Sequence, residues 1–538
     1  MLCRYRTPLQ PFPASRKRNH PLLPALIALA GLGAPEPASA LDLVPKEYAS
    51  FAAACKGKTI APSPRQVEGQ LVFNGSSGGQ QLDPLVVVGG GAVINVSNTG
   101  IYMFTKAGEF VTGGNTGCLN LDFDPKTYFD PIGKRVVLAS LSFAGSARIS
   151  FAKTGDARGG WWAYTIPVPG WVDGGAVGGS RKWIAYSYPA QGGQKVFLLD
   201  REQAEAGAKV TVVELPAMPF PGQPVFTFDA DQDRLYFVSL SGNSIQVNYI
   251  DAAGAYKTQK AVPHGFNLGY PIPFRQKSSG STCSAGDINP KMAVLRNGSI
   301  WTCDAASTSV GGTNRSMVRF YQVDLTGKLI QSGSIDDPTG AIYSGQATLA
   351  VNMRNDMLLV FQQSGAAQFI GSRMSYRLGT DPLGTLRPVV KHAEGAGANQ
   401  STAAWGDYSG ASIDGDNDLD MWGINSVASA SGAGNSVIFR LGLSDGSALE
   451  PPHARVPGFS IRQGNGILAL TGDGLDGKTT AELYGPSGVR WATGAFAGGG
   501  GAAGHLRIRT ANFPKGPVFL RLNRPGARES GMWVNLVH

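Results

Sequence analysis

Short runs of β-forming residues, each closed by a Gly, Asn, Asp or Pro turn, recur along most of this chain. Ala92 to Val111 alone contains three such runs. The same alternation of apolar and polar residues is found at 134–151, 182–199, 225–240, 293–302, 318–333 and 348–363. Such runs favour antiparallel sheets, and units of about 45 to 60 residues are close to the repeat length of propeller blades.

Composition excludes the main alternatives to a β protein. Of the 538 residues, 73 are Gly and 34 are Pro, and both residue types are unfavourable inside helices. A hydrophobic fraction of 42% argues against a disordered chain, and no Gly-every-third period indicates collagen. The sequence therefore predicts an all-β fold, with a six- or seven-bladed β-propeller at residues 41–450. One or two large β-sandwiches remain as the alternative for this region.

A Pro-containing break separates this region from the C-terminal part. Pro451 and Pro452, among small polar residues, predict a linker at 451–458. Residues 459–538 hold about six short β runs, which four glycines at 498–501 interrupt. This pattern predicts a small C-terminal β-sandwich domain.

The first 40 residues have the three parts of a secretory signal peptide. Five Lys and Arg residues precede an apolar run at 22–32, and the small residues Ala38, Ser39 and Ala40 follow it. The run is shorter than the roughly 20 residues that span a bilayer. The sequence therefore predicts cleavage after Ala40 and a mature chain in the periplasm or outside the cell, with no membrane span.

Removal of this leader changes the charge of the chain. The formal net charge is +9, of which the leader carries +4, so about +5 remains. The sequence contains no dense Lys/Arg patch with interleaved aromatic residues. Nucleic-acid binding is therefore not predicted.

Four cysteines remain after the leader, at Cys55, Cys118, Cys283 and Cys303. An even number in an oxidising compartment predicts two disulfides. Three pairings are possible, and the most local joins Cys55 to Cys118 and Cys283 to Cys303. No two of them stand in C-x-x-C spacing, which disfavours a metal site made of cysteines.

The acidic segment between Trp405 and Trp422 is a candidate cation site. Its alternating carboxylates belong to Asp414, Asp416, Asp418 and Asp420. They would supply the oxygen ligands that Ca²⁺ prefers, although Leu419 and Asn425 stand where an EF-hand loop has Gly and a bidentate Glu. The sequence predicts a Ca²⁺ site here. The alternative is an acidic turn whose Asp side chains accept bonds from backbone amides.

Two segments also resemble a known group of proteins. The string WGDYSGxSxD at 405–414, followed by Trp422, and the segment Phe123 to Lys126 are similar to bacterial secreted β-propellers related to Asp-box and sialidase-like proteins. Thr154-Gly155-Asp156 before Trp161 matches the same group. The resemblance covers about residues 85 to 440 and implies the fold rather than an activity, because Asp boxes are structural turns at blade edges.

Known catalytic patterns are weak in this sequence. Sialidases use an Arg-Ile-Pro segment, whereas the nearest string here is Arg148-Ile149-Ser150. The G-x-S-x-G match at 75–79 lies in a Gly/Ser turn rather than a strand-to-helix elbow. No His pair has H-x-x-x-H spacing.

Aromatic residues provide the remaining candidates for ligand binding. Trp161, Trp162, Trp171 and Trp183 crowd one region, and exposed rings of this kind bind sugars. Asp407 and Tyr408 of the WGDYSG string are further candidates. The alternative for the tryptophans is packing between blades, because Trp is highly buried on average.

The sequence thus predicts an exported protein that recognises an extracellular or cell-surface ligand, with polysaccharide as the first candidate, through the propeller face. Two alternatives stay open. One is a carbohydrate-active enzyme, a glycoside hydrolase or polysaccharide lyase, at the same face. The other is a structural or adhesion module that binds another protein. The fold does not choose among them, because function depends on the site.

Overall fold

The structure is a computed structural model that describes residues 39–444, apart from 80, 169, 171, 191–192, 219–221, 310–312 and 400–404, and seven segments within 460–536. The predicted signal peptide up to residue 38, the predicted linker at 451–458, Trp171 and the four glycines at 498–501 lie outside the described residues.

Strands make up most of the regular secondary structure of the described chain. Three short helices interrupt them: α1 (Phe51–Ala54), a 3-10 helix (Cys118–Asn120) and α2 (Arg201–Glu205). The strands of the first half are β1 (Ser39–Leu43), β2 (Lys46–Tyr48), β3 (Arg65–Val67), β4 (Gln70–Gly79), β5 (Leu85–Gly89), β6 (Ala92–Ser97), β7 (Gly100–Thr105), β8 (Phe110–Gly114), β9 (Phe123–Asp130), β10 (Arg135–Ser142), β11 (Ser146–Ala152), β12 (Trp161–Pro167), β13 (Ala176–Gly179), β14 (Trp183–Ala190), β15 (Gly193–Asp200), β16 (Val210–Met218), β17 (Gln223–Pro224), β18 (Phe226–Thr227), β19 (Leu235–Leu240), β20 (Ser244–Ile250), β21 (Tyr256–Lys257) and β22 (Val262–Pro263). Those of the second half are β23 (Phe274–Gln276), β24 (Ser279–Cys283), β25 (Ala293–Arg296), β26 (Ser299–Thr308), β27 (Arg315–Val323), β28 (Leu329–Ile335), β29 (Ile342–Val351), β30 (Met357–Gly365), β31 (Gln368–Arg377), β32 (Val390–Ala393), β33 (Gly410–Ile413), β34 (Met421–Ala428) and β35 (Gly434–Leu441). The C-terminal strands are β36 (Ser460–Gly464), β37 (Ile467–Gly472), β38 (Thr480–Tyr484), β39 (Arg490–Ala495), β40 (Gly504–Arg509), β41 (Gly516–Asn523) and β42 (Ser530–Leu536).

Consecutive strands pair antiparallel into meanders. The sheets run β5-β6-β7-β8, β9-β10-β11-β12, β13-β14-β15-β16, β17-β19-β20-β21, β25-β26-β27-β28, β29-β30-β31-β32 and β33-β34-β35. The short strand β18 joins the third and fifth of these into one ten-stranded sheet. A separate hairpin, β23-β24, lies in the long connection before β25. Meanders of this kind are what the alternating pattern predicts.

The first strands of these meanders, called the inner strands below, lie side by side in a closed ring. β5 contacts β9 and β33, β13 contacts β9 and β18, and β29 contacts β25 and β33. Where inner strands pair they run parallel, as in Gly179 with Phe226 and Phe226 with Val294. The ring closes because β4, from the N-terminal end of the propeller sequence, pairs with β35 from its C-terminal end, and β3 pairs with β4. The main domain is therefore an all-β propeller, and the large-sandwich alternative does not describe it.

Burial explains why these strands take the innermost position. Every residue of β5, the apolar run Leu85–Gly89, is buried, and so is every residue of β33. A strand that is apolar on both faces is stable only where neighbours cover both faces. The inner strands thus start together at one end of the ring and finish together at the other. This geometry brings residues that are distant in sequence to a common end.

The residues after the predicted cleavage position extend two sheets at their outer edges. β1 pairs with β16, with Leu41 opposite Val212 and Leu43 opposite Val210. β2 pairs with β12 in the neighbouring sheet. The predicted cut after Ala40 falls inside β1 and would leave Leu41–Leu43 to form that edge.

The C-terminal strands form two further antiparallel sheets, β36-β37-β40 and β39-β38-β41-β42. Both contribute to a single apolar cluster that includes Leu470, Leu483 and Leu520. The shared cluster shows that these two sheets stabilise each other.

One predicted disulfide is confirmed and the other is wrong. Cys55 and Cys118 are bonded. Cys283 and Cys303 form no disulfide, because their strands carry them into different apolar clusters. The Cys283 thiol lies 3.2 Å from Nε2 of Gln276, and burial raises its pKa to about 11. Burial also raises the pKa of the Cys303 thiol, so both thiols are buried and protonated.

No helix in the part of the chain that the structure describes combines the length and apolar character needed to cross a membrane.

Candidate functional site

Two adjoining cavities lie on the axis of the ring, between the inner strands. One is lined mainly by apolar side chains, among them Phe129, Phe226, Val294, Leu349 and Ile413. The other adds the polar residues Lys126, Lys291 and Tyr408. Both are small. Thr127 and Met292 line both. The axis is therefore apolar in its interior and polar where the inner strands start.

Four aspartates surround this polar end, and we call Asp83, Asp124, Asp173 and Asp407 the carboxylate cluster. Asp83 precedes β5 by two residues, Asp124 is the second residue of β9, and Asp173 and Asp407 each precede an inner strand by three residues. Carboxylate oxygens of Asp83, Asp124 and Asp407 all lie within 4.8 Å of one another. The ring thus gathers carboxyl groups from four sheets at one end.

The backbone is strained at the two buried members of the cluster. Asp83 has a φ of 42° and Asp124 a φ of 49°, in the left-handed region that residues other than Gly rarely adopt. Asn98 holds both: its Nδ2 donates to Asp83 at 2.9 Å, and its Oδ1 accepts the N–H of Asp124 at 2.9 Å. Strain that neighbouring contacts maintain is typical of functional sites.

The cluster has two layers. Asp83 and Asp124 are buried, with 2% and 5% of their surface exposed, whereas Asp173 and Asp407 are exposed. Each exposed aspartate is backed by a buried one. The N–H of Asp407 donates to Asp83 at 2.6 Å, and the carboxyl groups of Asp173 and Asp124 share a hydrogen bond.

This layering separates the proton affinities of Asp83, Asp124 and Asp173. Burial, together with the charge of Asp407, raises the pKa of Asp83 to about 7. The hydrogen bond to Asp124, together with burial, raises the pKa of Asp173 to about 6. Burial opposes ionisation of Asp124, but Lys126 and hydrogen bonds from Asp173 and Gly174 outweigh it and hold the pKa of Asp124 below its ordinary value. The cluster therefore holds both protonated and ionised carboxyls near neutral pH.

A buried lysine lies among these carboxyls. Lys126 is 9% exposed, and its Nζ lies 3.7 Å from the centroid of the Tyr408 ring. Burial lowers the pKa of Lys126 to about 8, although the neighbouring aspartates act in the opposite direction. Tyr408 donates its hydroxyl to the carbonyl of Pro125 at 3.1 Å, which fixes the ring.

The three close carboxylates have the spacing of a metal site. Among the described residues, Asp83, Asp124 and Asp407 are the one group of three metal-ligating side chains with such spacing. The charge of Lys126 already acts on all three. Acid–base chemistry therefore suits this donor set better than a cation cage does.

The structure brings two of the sequence candidates, Asp407 and Tyr408, to this site. It also brings Asp124 and Lys126, which the sequence marked only as part of a family resemblance. Asp83 and Asp173 were missed. The signal that could have found them is an aspartate just before an apolar strand, as in Asp83-Pro84 before β5. Such a residue lies at the end of the ring where the inner strands start.

The acidic turn at 414–420 lies at the other end of the ring, after β33. The structure does not gather Asp414, Asp416, Asp418 and Asp420 around one centre; Asp414 and Asp416 share Lys106, and Asp418 and Asp420 bind different arginines. Asp416 accepts the N–H groups of Gly90 and Gly91 at 2.7 and 2.9 Å and pairs with Lys106, as Asp414 does. Arg296 binds both carboxylate oxygens of Asp418.

Asp420 is the most completely bonded member of this turn. Its carboxylate is fully buried and accepts from Arg440, from the N–H groups of Leu443 and Ser444 and from Asn417. These contacts favour a structural latch between the turns at this end of the ring, which was the alternative to the predicted Ca²⁺ site. Ca²⁺ binding by the turn stays a prediction.

We expect Asp420→Ala to lower the free energy of unfolding by about 3 kcal/mol, because it leaves Arg440 and two backbone amides without their acceptor. Chemical denaturation measures this, with Asp231→Ala as control, an exposed aspartate at the same end of the ring. The melting temperature should be the same with and without EDTA. A drop in EDTA that Asp416→Ala abolishes would contradict the latch and support Ca²⁺ binding.

The three candidate tryptophans that the structure describes do not form one exposed platform. Trp161 is fully buried, donates Nε1 to the carbonyl of Ala157 and packs against Phe51, so it belongs to the core. Trp162 is partly buried beneath Lys153. Trp183 lies in another sheet and donates Nε1 to the carbonyl of Asp251 at 3.0 Å. Trp161 therefore packs in the core, as the alternative predicted. Trp162 and Trp183 lie in different sheets.

The raised pKa of Asp83 makes stability depend on pH. In the unfolded chain an aspartate has a pKa near 3.8, whereas Asp83 in the folded chain has a pKa of about 7. The folded state therefore binds the proton more tightly, and this contribution is present at low pH and lost as pH rises through 7. Asp407, Asp124 and Lys126 are the charged groups that face Asp83.

We expect Asp83→Asn to gain stability relative to the unchanged protein as pH rises. The unfolding free energy of the variant minus that of the unchanged protein should increase by at least about 1 kcal/mol between pH 5 and 8. Denaturation at a series of pH values measures it. Asp231→Asn should give a difference that does not vary with pH. A difference for Asp83→Asn that is equally flat would show that Asp83 is already ionised at pH 5.

No protein-family model and no curated protein matches this chain. Similar solved structures include the WD40 domain of Toxoplasma gondii coronin, at 10% identity and a TM-score of 0.37, covering 71% of this chain and 88% of that one. The α-L-arabinofuranosidase Arb93A from Fusarium graminearum, solved with an iminosugar inhibitor, is 8% identical, with a TM-score of 0.32. The match covers 69% of this chain and 95% of that one. The α-L-arabinanase of Penicillium chrysogenum, solved with arabinobiose, is 12% identical, with a TM-score of 0.26, and the match covers 74% of this chain and 98% of that one. Likenesses at this level of identity and TM-score carry no argument about activity.

Proposed function

We propose that this chain is an exported glycoside hydrolase whose active site is the carboxylate cluster. The observation that carries the proposal is the pairing of exposed Asp173, which holds a proton with a pKa of about 6, with Asp124, whose pKa is lowered. Glycosidic bonds are cleaved by two carboxyl groups, one protonated and one ionised. Environments that separate the proton affinities of neighbouring carboxyls are how proteins assign those two roles.

The roles follow from exposure and protonation. Asp173 is exposed and donates its proton to the oxygen of the scissile glycosidic bond, which leaves with the departing sugar. Asp407 is the other exposed carboxylate, and it accepts a proton from the water that attacks the anomeric carbon. Buried Asp124 keeps the proton on Asp173 through the hydrogen bond between their carboxyl groups. Buried Asp83 positions Asp407 by accepting the backbone N–H of Asp407. The water supplies the new hydroxyl group, and the C–O bond breaks.

Export is part of this proposal. The disulfide between Cys55 and Cys118 supports it, because such bonds persist in the periplasm and outside the cell and are rare in the cytosol. A polymeric glycan outside the cytoplasm suits both the compartment and an active site at the open end of a ring.

We also propose the finer architecture that the sequence suggested. Seven meanders surround the axis if the ten-stranded sheet is counted as two, which supports a seven-bladed propeller within 41–450. The two C-terminal sheets with one shared apolar cluster support a β-sandwich within 459–538. A crystal structure of the exported chain would count the blades directly.

The function is tested by incubating the purified chain with a panel of glycans and measuring both binding and released reducing ends. Release of products from at least one glycan is the expected result. Binding without release would instead favour the recognition function that the sequence first suggested. Absence of both would favour a module that binds another protein.

A further inference from the structure

An exposed aromatic ring lies beside the carboxylate cluster. Phe143, in the turn between β10 and β11, is 69% exposed and stacks on Phe123 with ring centroids 4.3 Å apart and an angle of 25°. Phe123 is buried and directly precedes Asp124. This stacking fixes the Phe143 ring and leaves its apolar face open to a ligand.

The turn that carries Phe143 is also tied to the segment that carries Asp173. The N–H of Val168 donates to the carbonyl of Gly145 at 3.1 Å, and Asp173 follows five residues later. The turn of Phe143 therefore contacts the segment that leads into Asp124, through Phe123, and bonds the segment that precedes Asp173 in sequence.

The open side of the cluster is negative. Asp173 and Asp407 are exposed, whereas Lys126 is buried and Lys291 is paired with Asp287 at 3.5 Å. A ligand carboxylate would be repelled here, and a neutral group would leave the exposed carboxylates unpaired. A positively charged group fits this charge distribution.

A second observation points to a missing polar partner at the same corner. The hydroxyl of Tyr186 is fully buried and has no hydrogen-bond partner among the described residues. It lies against Gly175, two residues after Asp173, and within electrostatic reach of Asp124 and Asp173. A hydroxyl or ammonium group of a ligand, or a water that it orders, would complete this set of hydrogen bonds.

We propose that Phe143 and the exposed carboxylates Asp173 and Asp407 form a subsite for a sugar ring that bears a positively charged amino group. The apolar face of the ring stacks on Phe143, and its ammonium group pairs with Asp407, so that Asp173 keeps the proton that it donates. The substrate class is thus a glycan with free amino groups, such as a polymer of glucosamine. This inference rests on the glycoside-hydrolase function proposed above.

The test measures equilibrium binding of a glucosamine tetramer by calorimetry at low temperature, while product release from the same samples is measured separately. Tetramers of N-acetylglucosamine and galacturonate are the comparison ligands. Phe143→Ala should weaken binding of the glucosamine tetramer by about tenfold, because the stacking partner is lost. Leu383→Ala is the matched control, because Leu383 is equally exposed at 68% and lies in the turn after β31 at the opposite end of the ring.

The outcomes separate this inference from the proposed function. Unchanged affinity in Phe143→Ala, or binding of either comparison ligand as tightly as the glucosamine tetramer, would overturn the amino-sugar subsite. Tight, Phe143-dependent binding of the glucosamine tetramer with no product would support the subsite and overturn hydrolysis. Product release with affinity that does not depend on Phe143 would leave hydrolysis standing and remove the subsite.

Discussion

Replacing Asp173 or Asp407 by Asn is expected to lower kcat/KM for glycan cleavage by about 10² to 10⁴, the range that a positioned acid or base contributes. Both residues are exposed and belong to the outer layer of the cluster, so neither change removes core packing. Asn keeps the shape of the side chain but can neither donate the carboxylic proton nor accept one from water. Initial rates of reducing-end release measure the loss.

The control for this experiment is Asp231→Asn at the opposite end of the ring, which should keep full activity. Melting temperatures of all three variants show whether folding is intact. Full activity in Asp173→Asn, with unchanged stability, would remove Asp173 from the acid role. Full activity in Asp407→Asn would remove the proposed base in the same way.

Loss of the disulfide is expected to have the largest effect on stability. The bond closes a loop of 63 residues between Cys55 and Cys118, and a loop of this size corresponds to about 4 kcal/mol of unfolding free energy. It ties α1 and the N-terminal strands to the connection between β8 and β9, which leads into Asp124. The double variant Cys55→Ala, Cys118→Ala should therefore unfold at a much lower denaturant concentration.

Reduction provides the matching control. A thiol reductant should destabilise the unchanged protein by a similar amount and leave the double variant unaffected. Equal sensitivity to the reductant in both proteins would mean that another bond, rather than Cys55–Cys118, is responsible. The buried thiols Cys283 and Cys303 are not bonded in the structure and should not contribute.

The fold was predictable because its signal is local. Runs such as Leu85–Gly89 and Ala92–Ser97 are apolar, short and separated by Gly turns, and each fixes one strand of a meander without knowledge of the others. The Cys55–Cys118 bond was predicted from the expected oxidising compartment and from the choice of the most local pairing. The pairing of Cys283 with Cys303 failed because neither clue reports which apolar cluster a strand joins.

The site was predictable only in part because its members meet through closure of the ring. Asp83 and Asp407 are separated by more than 300 residues of sequence, yet the backbone N–H of one bonds the carboxylate of the other. No linear motif records such a contact. Asp407 was found through the aromatic string around it, whereas Asp173 stands alone in a Gly-containing connection.

The surroundings of the acidic turn at 414–420 could not be predicted from the sequence for the same physical reason. The carboxylates at 414–420 alternate like metal ligands, but their counter-charges come from Lys106, Arg296 and Arg440 in other sheets or strands. The four aspartates are close together in the sequence, whereas the lysine and arginines that pair with them are distant in the sequence. The partners determine whether such a turn is a cation cage or a latch.

The most direct test of the central claim is the pH dependence of product release on the most active glycan of the panel. Asp173 must carry its proton to act, and its pKa is raised to about 6 by its hydrogen bond to Asp124 and by burial. The account therefore predicts that kcat/KM falls as pH rises through about 6. It also predicts that Asp124→Asn moves this fall to lower pH, because the charge that holds the proton on Asp173 is gone. A rate that stays constant or rises between pH 5 and 8, or a glycan panel that yields no product at any pH, would contradict it.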